Sequence, residues 1–519
     1  MINHETSDTI FIDIYEIVND ELYIMGNTLN DNVEVYFDNE NIELNRLNFP
    51  QRSEYSNYSF ELSIPLSKKH HLLEFKNRDA DYKIDFSRPC NFSKIAGYAK
   101  SGKYLSILKD NRIIIKPKNT LSWIKEELKS QLNMLKKRDS GFKVGIPFRI
   151  AYMLGYPFLR KKHIWFFMDL PTIADDNGKH LFKYYMENGL RKDVDKYFIL
   201  SSNSDNFDEM KKIGKVIPYK SLKHRYLGLF AENIITSHPD NGIIYPFWGT
   251  YPHLAGLLKS NTVFLQHGLT KDNVSSWLNK FNMNLSLFVT SSPKEYESIF
   301  QYPYNYKKDV VQLTGMPRFD NLKNEKGEKQ ILIMPSWRRF LDNASEKTIA
   351  ESEFFKKFNS LINNEQLIEF SKNKDYKIIF RPHPNVYRFI DLFDENEYVK
   401  IDFERGNYQK LFNRASLLIT DYSSVAFDFA YLKKPVLYYH YSNDYHFDLE
   451  DMYYDYESMG FGEISKDENQ LINLTIEYLE NKCLMKEKYS KRVDEFYAFN
   501  DRNNCKRVSR AIENIPLKD

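Results

Sequence analysis

From Ile164 onward the chain repeats one unit, a short run of apolar β-formers followed by a stretch of helical periodicity. Ile164–Met168, Tyr197–Leu200, Lys215–Ile217, Asn233–Thr236, Thr262–Leu265 and Leu287–Thr290 form a first series. Ile331–Met334, Tyr376–Phe380, Val399–Ile401, Leu417–Thr420 and Pro435–Tyr439 form a second. Strands without a polar face need cover on both sides, and intervening helices supply it, so each series predicts a parallel sheet clothed in helices. A division near Phe319–Gly327 predicts two Rossmann-like lobes, over 163–320 and 321–519, with C-terminal helices packing back on them. In such α/β sheets ligands bind beyond the carboxyl ends of the strands, here in the cleft between lobes.

The 1–117 stretch follows a different rhythm. Phe11–Tyr15, Glu21–Gly26, Val33–Phe37 and Phe60–Ile64 cluster or alternate β-formers between Asn, Asp and Gly turns. That pattern predicts a small all-β, sandwich-like domain, either an accessory or acceptor-binding module or a plain spacer. Residues 118–162 read as a helical linker. Leu121, Ile124, Leu128, Leu132 and Leu135 fall near helical spacing, and Pro147–Lys162 is an apolar, aromatic segment ending in Arg160, Lys161 and Lys162. Such a segment suits an interfacial membrane anchor; a helix packed on the next domain is the other reading.

A chain of 519 residues exceeds what one core can organise. Its formal net charge of +2 gives no global field for nucleic acid, and none is expected as a partner. Cys90, Cys483 and Cys505 lie far apart, as reduced thiols do. Met1–Glu5 is polar and acidic where a signal peptide would be basic and then apolar. No apolar run reaches the ~18 residues of a spanning helix, so a cytoplasmic protein, or one on the inner membrane face, is expected.

Polar residues gather just past the strand ends. Gln266-His267-Gly268 follows one strand of the first lobe, and Thr314-Gly315-Met316-Pro317-Arg318 follows another. Pro335-Ser336-Trp337-Arg338, Arg381-Pro382-His383-Pro384 and Thr420-Asp421-Tyr422-Ser423-Ser424 follow strands of the second. An imidazole at His267 titrates near neutrality and could take a proton from an attacking hydroxyl. Arg381 and His383, stiffened by two prolines, suit an anion site, and an arginine–carboxylate pair is the competing use of Arg381. Ser423 and Ser424 precede a helix and could present hydroxyls and backbone N–H groups to phosphate, or simply cap it. Lys271, Asp272, Asp176 and Asn177 complete the candidate cleft residues, the last two also fitting a helix cap. No G-x-x-x-x-G-K-[ST], no G-x-G-x-x-G and no dense metal-ligand cluster occurs.

Through these pieces, together with Asp175-Asp176-Asn177 and Gly315–Asp320, the chain resembles the CDP-glycerol glycerophosphotransferases, the teichoic acid primases and polymerases with relatives in capsule synthesis. The resemblance covers roughly 160–480. It implies a glycosyltransferase-B fold and a peripheral position on the inner membrane leaflet. It also implies transfer of glycerol phosphate to a lipid-linked polymer with release of CMP. His267 would be the catalytic base and His383 a second catalytic group. Arg381, His383, Ser423 and Ser424 would hold the donor diphosphate, with Thr420, Asp421, Arg338 and Arg318 around it. CDP-glycerol or CDP-ribitol would be the donor, with no tightly bound cofactor expected and no ligand set assigned to Mg²⁺. The family's Trp-His-Gly is here Gln266-His267-Gly268, and its late glycine–proline pair is Met459-Gly460-Phe461-Gly462, which keeps ribitol phosphate in contention. A sugar-nucleotide glycosyltransferase or hexosamine epimerase would share this fold, and a non-enzymatic polymer-binding scaffold is a third reading.

Overall fold

The computed structural model describes residues 9–47, 57–77, 80–324, 328–394, 396–404, 406–441 and 452–516. Met1–Glu5, Gly327 and part of the Lys323–Lys329 charge run lie outside the described residues. Up to Pro117 the chain forms two facing sheets. One orders its strands Asn45–Leu47, Tyr58–Pro65, Glu21–Thr28, Thr9–Val18 and Lys83–Phe86. The other runs Tyr98–Ser101, Tyr104–Lys109, Arg112–Pro117, His71–Asn77, Glu34–Phe37 and Glu40–Ile42, with Ala80–Asp81 paired to His71–Asn77. Ile12, Ile24 and Leu62 from the first pack with Leu73, Phe75, Ile113 and Ile115 from the second in one apolar core. Alternate residues along Arg112–Pro117 are buried, as a sheet with one wet face requires.

Two helices follow, α1 (Thr120–Lys137) and α2 (Phe142–Leu159). Asn119 opens α1 with a capping box, its side chain accepting from the Ser122 amide at 2.8 Å. The leucine spacing locates α1, but its apolar stripe faces outward: Leu121, Leu128, Leu132 and Leu135 are exposed, while Trp123, Glu127, Gln131 and Met134 are buried. The inversion has a cause on α2. Arg149 is fully buried and meets Glu127 at 2.6 Å, and it also donates to the carbonyls of His253 and Ala255 at 2.7 and 2.9 Å. A buried guanidinium must be paired and hydrogen-bonded, so it turns the polar side of α1 inward.

Each later series forms one parallel sheet. The first lobe orders its seven strands Val216–Pro218, Val194–Leu200, His163–Met168, Asn233–Thr236, Asn261–Phe264, Leu285–Thr290 and Val311–Leu313. The second orders six as Val399–Ile401, Lys377–Phe380, Gln330–Met334, Leu417–Thr420, Val436–Tyr439 and Gly462–Ser465. In both, the order reverses beside the first strand, which opens a crevice at its carboxyl end. The β-domain docks at the opposite, amino-terminal edge of the first lobe, where Tyr251 donates to the Pro89 carbonyl at 3.1 Å and Asn284 to Glu16 at 2.8 Å. One apolar cluster runs between lobes through Met316, Phe319 and Phe427, and Phe319 stacks on Tyr431 at 4.5 Å. The last helix, Asn504–Glu513, returns to the first lobe, its first amides held by the Asp320 carboxylate at 2.9 and 2.8 Å. Gly315 permits that return: its φ is +78°, and a Cβ there would meet Asn504 Oδ1 at 2.1 Å.

Candidate active site

The first strand of lobe one ends at Met168, and Asp169 beyond it is buried. Its carboxylate accepts from the amides of Asp176, Gly178 and Lys179 at 3.0, 2.8 and 3.2 Å and from Ser237 Oγ at 2.6 Å. That fixes the start of α3 (Asn177–Glu187), a helix N-terminus stabilised by an anion. Asn177, fully buried, then joins two loops: it donates to the Gln266 carbonyl at 2.7 Å and accepts from the Arg318 amide at 2.9 Å. Gln266 sits at φ +68°, a left-handed turn directly before His267.

Arg318 crosses between lobes. It binds Asp428 of lobe two with two bonds at 2.7 and 2.8 Å, Asp176 at 2.6 Å and the His267 carbonyl at 2.8 Å. Burial pushes the Asp176 carboxyl up, against the pull of Arg318. Arg318 was expected at the donor, and Asp176 and Asn177 either along the cleft or as a helix cap; here Asp176 caps α3 and the three form a buried latch behind the His267 loop. Arg381 and Arg338 are likewise engaged by carboxylates. Arg381 pairs with Asp402 at 3.0 Å, also donates to the carbonyls of Glu404 and Gly406, and stacks on Tyr408. Arg338 pairs with Asp421 at 2.9 Å and bonds Ser336 Oγ and Tyr441. Asp421 also accepts from the Ser336 amide at 2.8 Å, and Thr420 Oγ1 donates to the Met334 carbonyl at 2.6 Å. Thr420, Asp421 and Arg338 therefore bind two loops of lobe two together rather than line the cleft.

The remaining candidates converge. A cavity of about 420 Å³ between lobes is lined by His267, Gly268, Lys271 and Asp272 on one side and by His383, Ser423 and Ser424 on the other. Trp337 and Tyr422, which stood in the strand-end motifs without a role, line it as well, as do Arg339, Asp342 and Asn385, which lay outside those motifs. Arg338 is the extended residue before the 3-10 turn Arg339–Leu341 and is turned to Asp421, whereas Arg339, which opens that turn, reaches the cavity. The doubled arginine was the available signal. Lys271 is buried and held by Asp272 at 2.6 Å. Asp272 pairs with Met452 in an isolated antiparallel bridge that ties the lobes.

His267 faces the water of the cleft, with His238 stacked beneath it at 4.8 Å and 16°. Crowding by protein on its other sides, and the nearby Arg318 guanidinium, hold its pKa below the usual imidazole value. The Asp240 carboxylate and the Ser237 backbone oppose that lowering more weakly. His383 Nδ1 accepts from the Asn385 amide at 3.2 Å, so its Nε2 carries the N–H. No side-chain bond from Ser424 caps the Val425–Tyr431 helix. A Cβ on Gly268 would lie 2.9 Å from Ser424 Oγ, so the two lobes touch where the sequence set a glycine beside His267. Among the described residues no group of three or more His, Cys, Asp or Glu side chains is placed to hold a metal.

The family model for CDP-glycerol:poly(glycerophosphate) glycerophosphotransferase matches residues 149–514. The chain belongs to this family. It is 40% identical over 476 residues to the minor teichoic acid biosynthesis protein GgaB of Bacillus subtilis (strain 168), covering 87% of this chain and 52% of GgaB. It is 33% identical over 199 residues to a teichoic acid poly(glycerol phosphate) polymerase of Bacillus spizizenii, covering 35% of this chain and 48% of the polymerase. The chain thus spans about half the length of these relatives. The wall teichoic acid polymerase TagF shares its fold, with a TM-score of 0.56 at 15% identity over 77% of this chain and 99% of TagF. The two lobes here are of the glycosyltransferase-B type that TagF shares, and in this chain an all-β region precedes them.

Proposed function

We propose that this chain transfers glycerol phosphate from CDP-glycerol to a hydroxyl of a membrane-linked teichoic-acid- or capsule-type polymer, releasing CMP. The observation that carries this reading is the opposition, across one cavity, of His267 on lobe one to His383, Arg339, Ser423 and Ser424 on lobe two. The acceptor oxygen attacks the β-phosphorus, its proton passes to a ring nitrogen of His267, and the bond from that phosphorus to the bridging oxygen breaks. CMP leaves with the bridging oxygen. A neutral imidazole with a lowered pKa is in the form that accepts the proton at neutral pH. Charge gathers on the phosphoryl oxygens, and Arg339, the N–H of His383 and the two serine hydroxyls answer it. CDP-glycerol, CDP-ribitol and a UDP-sugar, each offered with a membrane-derived acceptor, test the reading. CMP from CDP-glycerol supports it, CMP from CDP-ribitol alone changes the polyol, and UDP from a sugar donor overturns it.

The same reading places the protein on the inner face of the membrane. Leu121, Leu128 and Leu132 on α1, and Ile150, Leu154 and Phe158 on α2, expose their side chains to solvent beside Arg160, Lys161 and Lys162. An apolar face next to cations is the composition of a helix lying in a lipid interface. No described helix is long and apolar enough to cross a membrane.

A further inference from the structure

A second cavity, of about 840 Å³, lies far from the chemistry in topological terms. It is lined by His163, Glu232 and Lys259, each at or just before the start of a strand of lobe one, so it opens at the amino-terminal edge of the sheet that carries His267 at its carboxyl edge. The turns Asn19–Asp20 and Ser101–Tyr104 of the β-domain form one wall, and the last turns of α2, from Tyr152 to Arg160, form another.

Its charge is one-sided. Lys100, Lys103, Lys118, Arg160, Lys162 and Lys259 line it, against the carboxylates of Asp20 and Glu232. Both carboxylates are engaged within the wall, Asp20 with Lys103 at 2.5 Å and Glu232 with His163 at 2.7 Å. Lys100 is 3% exposed, donates to Tyr152 Oη at 2.8 Å, and has its ammonium 4.1 to 4.8 Å from the ring centres of Trp123, Tyr152 and Tyr156. Burial, then the repulsion of Lys259 and Lys118, hold its pKa well below that of a free lysine, with Glu127 opposing. The three rings offset part of the cost of burying this ammonium, while the like charges of Lys259 and Lys118 add to it. Lys118 also donates to the Gly102 carbonyl, and an anion placed among these cations would offset their mutual repulsion.

The occupant is indicated by α2. The helix that gives Tyr152, Tyr156 and Arg160 to the cavity turns Ile150, Leu154 and Phe158 outward. A molecule with a phosphate ester in the cavity and acyl chains along that apolar face matches both surfaces. We propose that this cavity is a headgroup site for an anionic phospholipid, which would seat the β-domain and lobe one on the bilayer in one orientation. The proposal rests on the peripheral membrane reading above and adds a specific anion site to it.

The test is sedimentation of the full chain with vesicles of phosphatidylcholine alone or mixed with phosphatidylglycerol. Three paired variants are compared: Lys118→Gln/Lys259→Gln inside the cavity, Arg160→Glu/Lys162→Glu at its exposed edge, and Lys136→Glu/Lys137→Glu on α1 outside it. The wild type is expected to prefer the mixed vesicles. Each cavity pair should lose that preference by about tenfold or more, since a basic residue at an anionic surface contributes roughly a fivefold factor, and the α1 pair should keep most of it. CMP release with a water-soluble acceptor should not change in any variant, which confirms folding. Equal loss in all three pairs would mean diffuse attraction and overturn the site. Equal binding to both vesicle types would overturn it while sparing the membrane reading, and binding to neither would remove both. Soluble poly(glycerol phosphate) bound through the cavity cations, without any vesicle preference, would reassign the cavity to polymer.

Discussion

At the scale of single residues, the arginines divide the site into scaffold and surface. Arg318, Arg338 and Arg381 each face a carboxylate, Asp428, Asp421 and Asp402. Those partners lie 110, 83 and 21 positions away in sequence, which no local motif can announce. His267, His383, Ser423 and Ser424 were legible because they stand directly after apolar strands, where the fold must open a crevice. The division predicts opposite outcomes for neighbours. Arg338→Ala strands the buried Asp421 carboxylate and should cost about 3–5 kcal/mol in chemical denaturation. Arg339→Ala should leave the denaturation midpoint unchanged and raise KM for the CDP-polyol. For His267 the sign follows from its lowered pKa. In the proposed role as base it works unprotonated, and a lower pKa means the proton is lost at a lower pH. Activity should therefore rise with pH along a limb lying below the ordinary imidazole value of about 6.5 and be level at neutrality. A kcat/KM profile with its acid limb centred above that value would contradict the assignment.

At the scale of elements, periodicity located helices and strands more surely than it oriented them. The leucines of α1 predicted a helix, and the helix is there, but Arg149 on α2 needs Glu127 and so the leucines face out. Gly462–Ser465, the edge strand of lobe two, escaped the reading because Gly-Glu-Ile-Ser offers one apolar residue and no run. The parallel strands inside each sheet were plain because both their faces are buried and apolar residues fill most of their positions. The meeting of two loops at Gly268 and Ser424 gives a sharper test. Gly268→Ala puts a methyl 2.9 Å from Ser424 Oγ and should displace that side chain, raising KM for the donor several-fold. Gly268→Ala/Ser424→Gly removes the clash, so its KM should match that of Ser424→Gly alone. Additive losses would show that the contact does not matter.

At the scale of the whole molecule, three bodies serve one cleft. The lobes are tied across it by Arg318, by the Asp272–Met452 bridge and by Phe319 on Tyr431, so His267 is held in register with His383, Ser423 and Ser424. The last helix returns to lobe one through Asp320, which closes the second lobe against the first. The β-domain and the α1–α2 pair stand at the other edge, where their outward leucines and basic cavity face away from the chemistry. Leu128→Ser/Leu132→Ser should therefore leave thermal stability and CMP release in solution unchanged while reducing the fraction that sediments with vesicles. The most direct test of the central claim is the transfer of radiolabelled glycerol phosphate from CDP-glycerol to a membrane-derived acceptor, by the wild type and by His267→Ala. The account predicts labelled polymer and stoichiometric CMP from the wild type, and a loss of about 10²–10⁴ in rate from the variant with its fold intact. Labelled polymer formed equally fast by His267→Ala would contradict it.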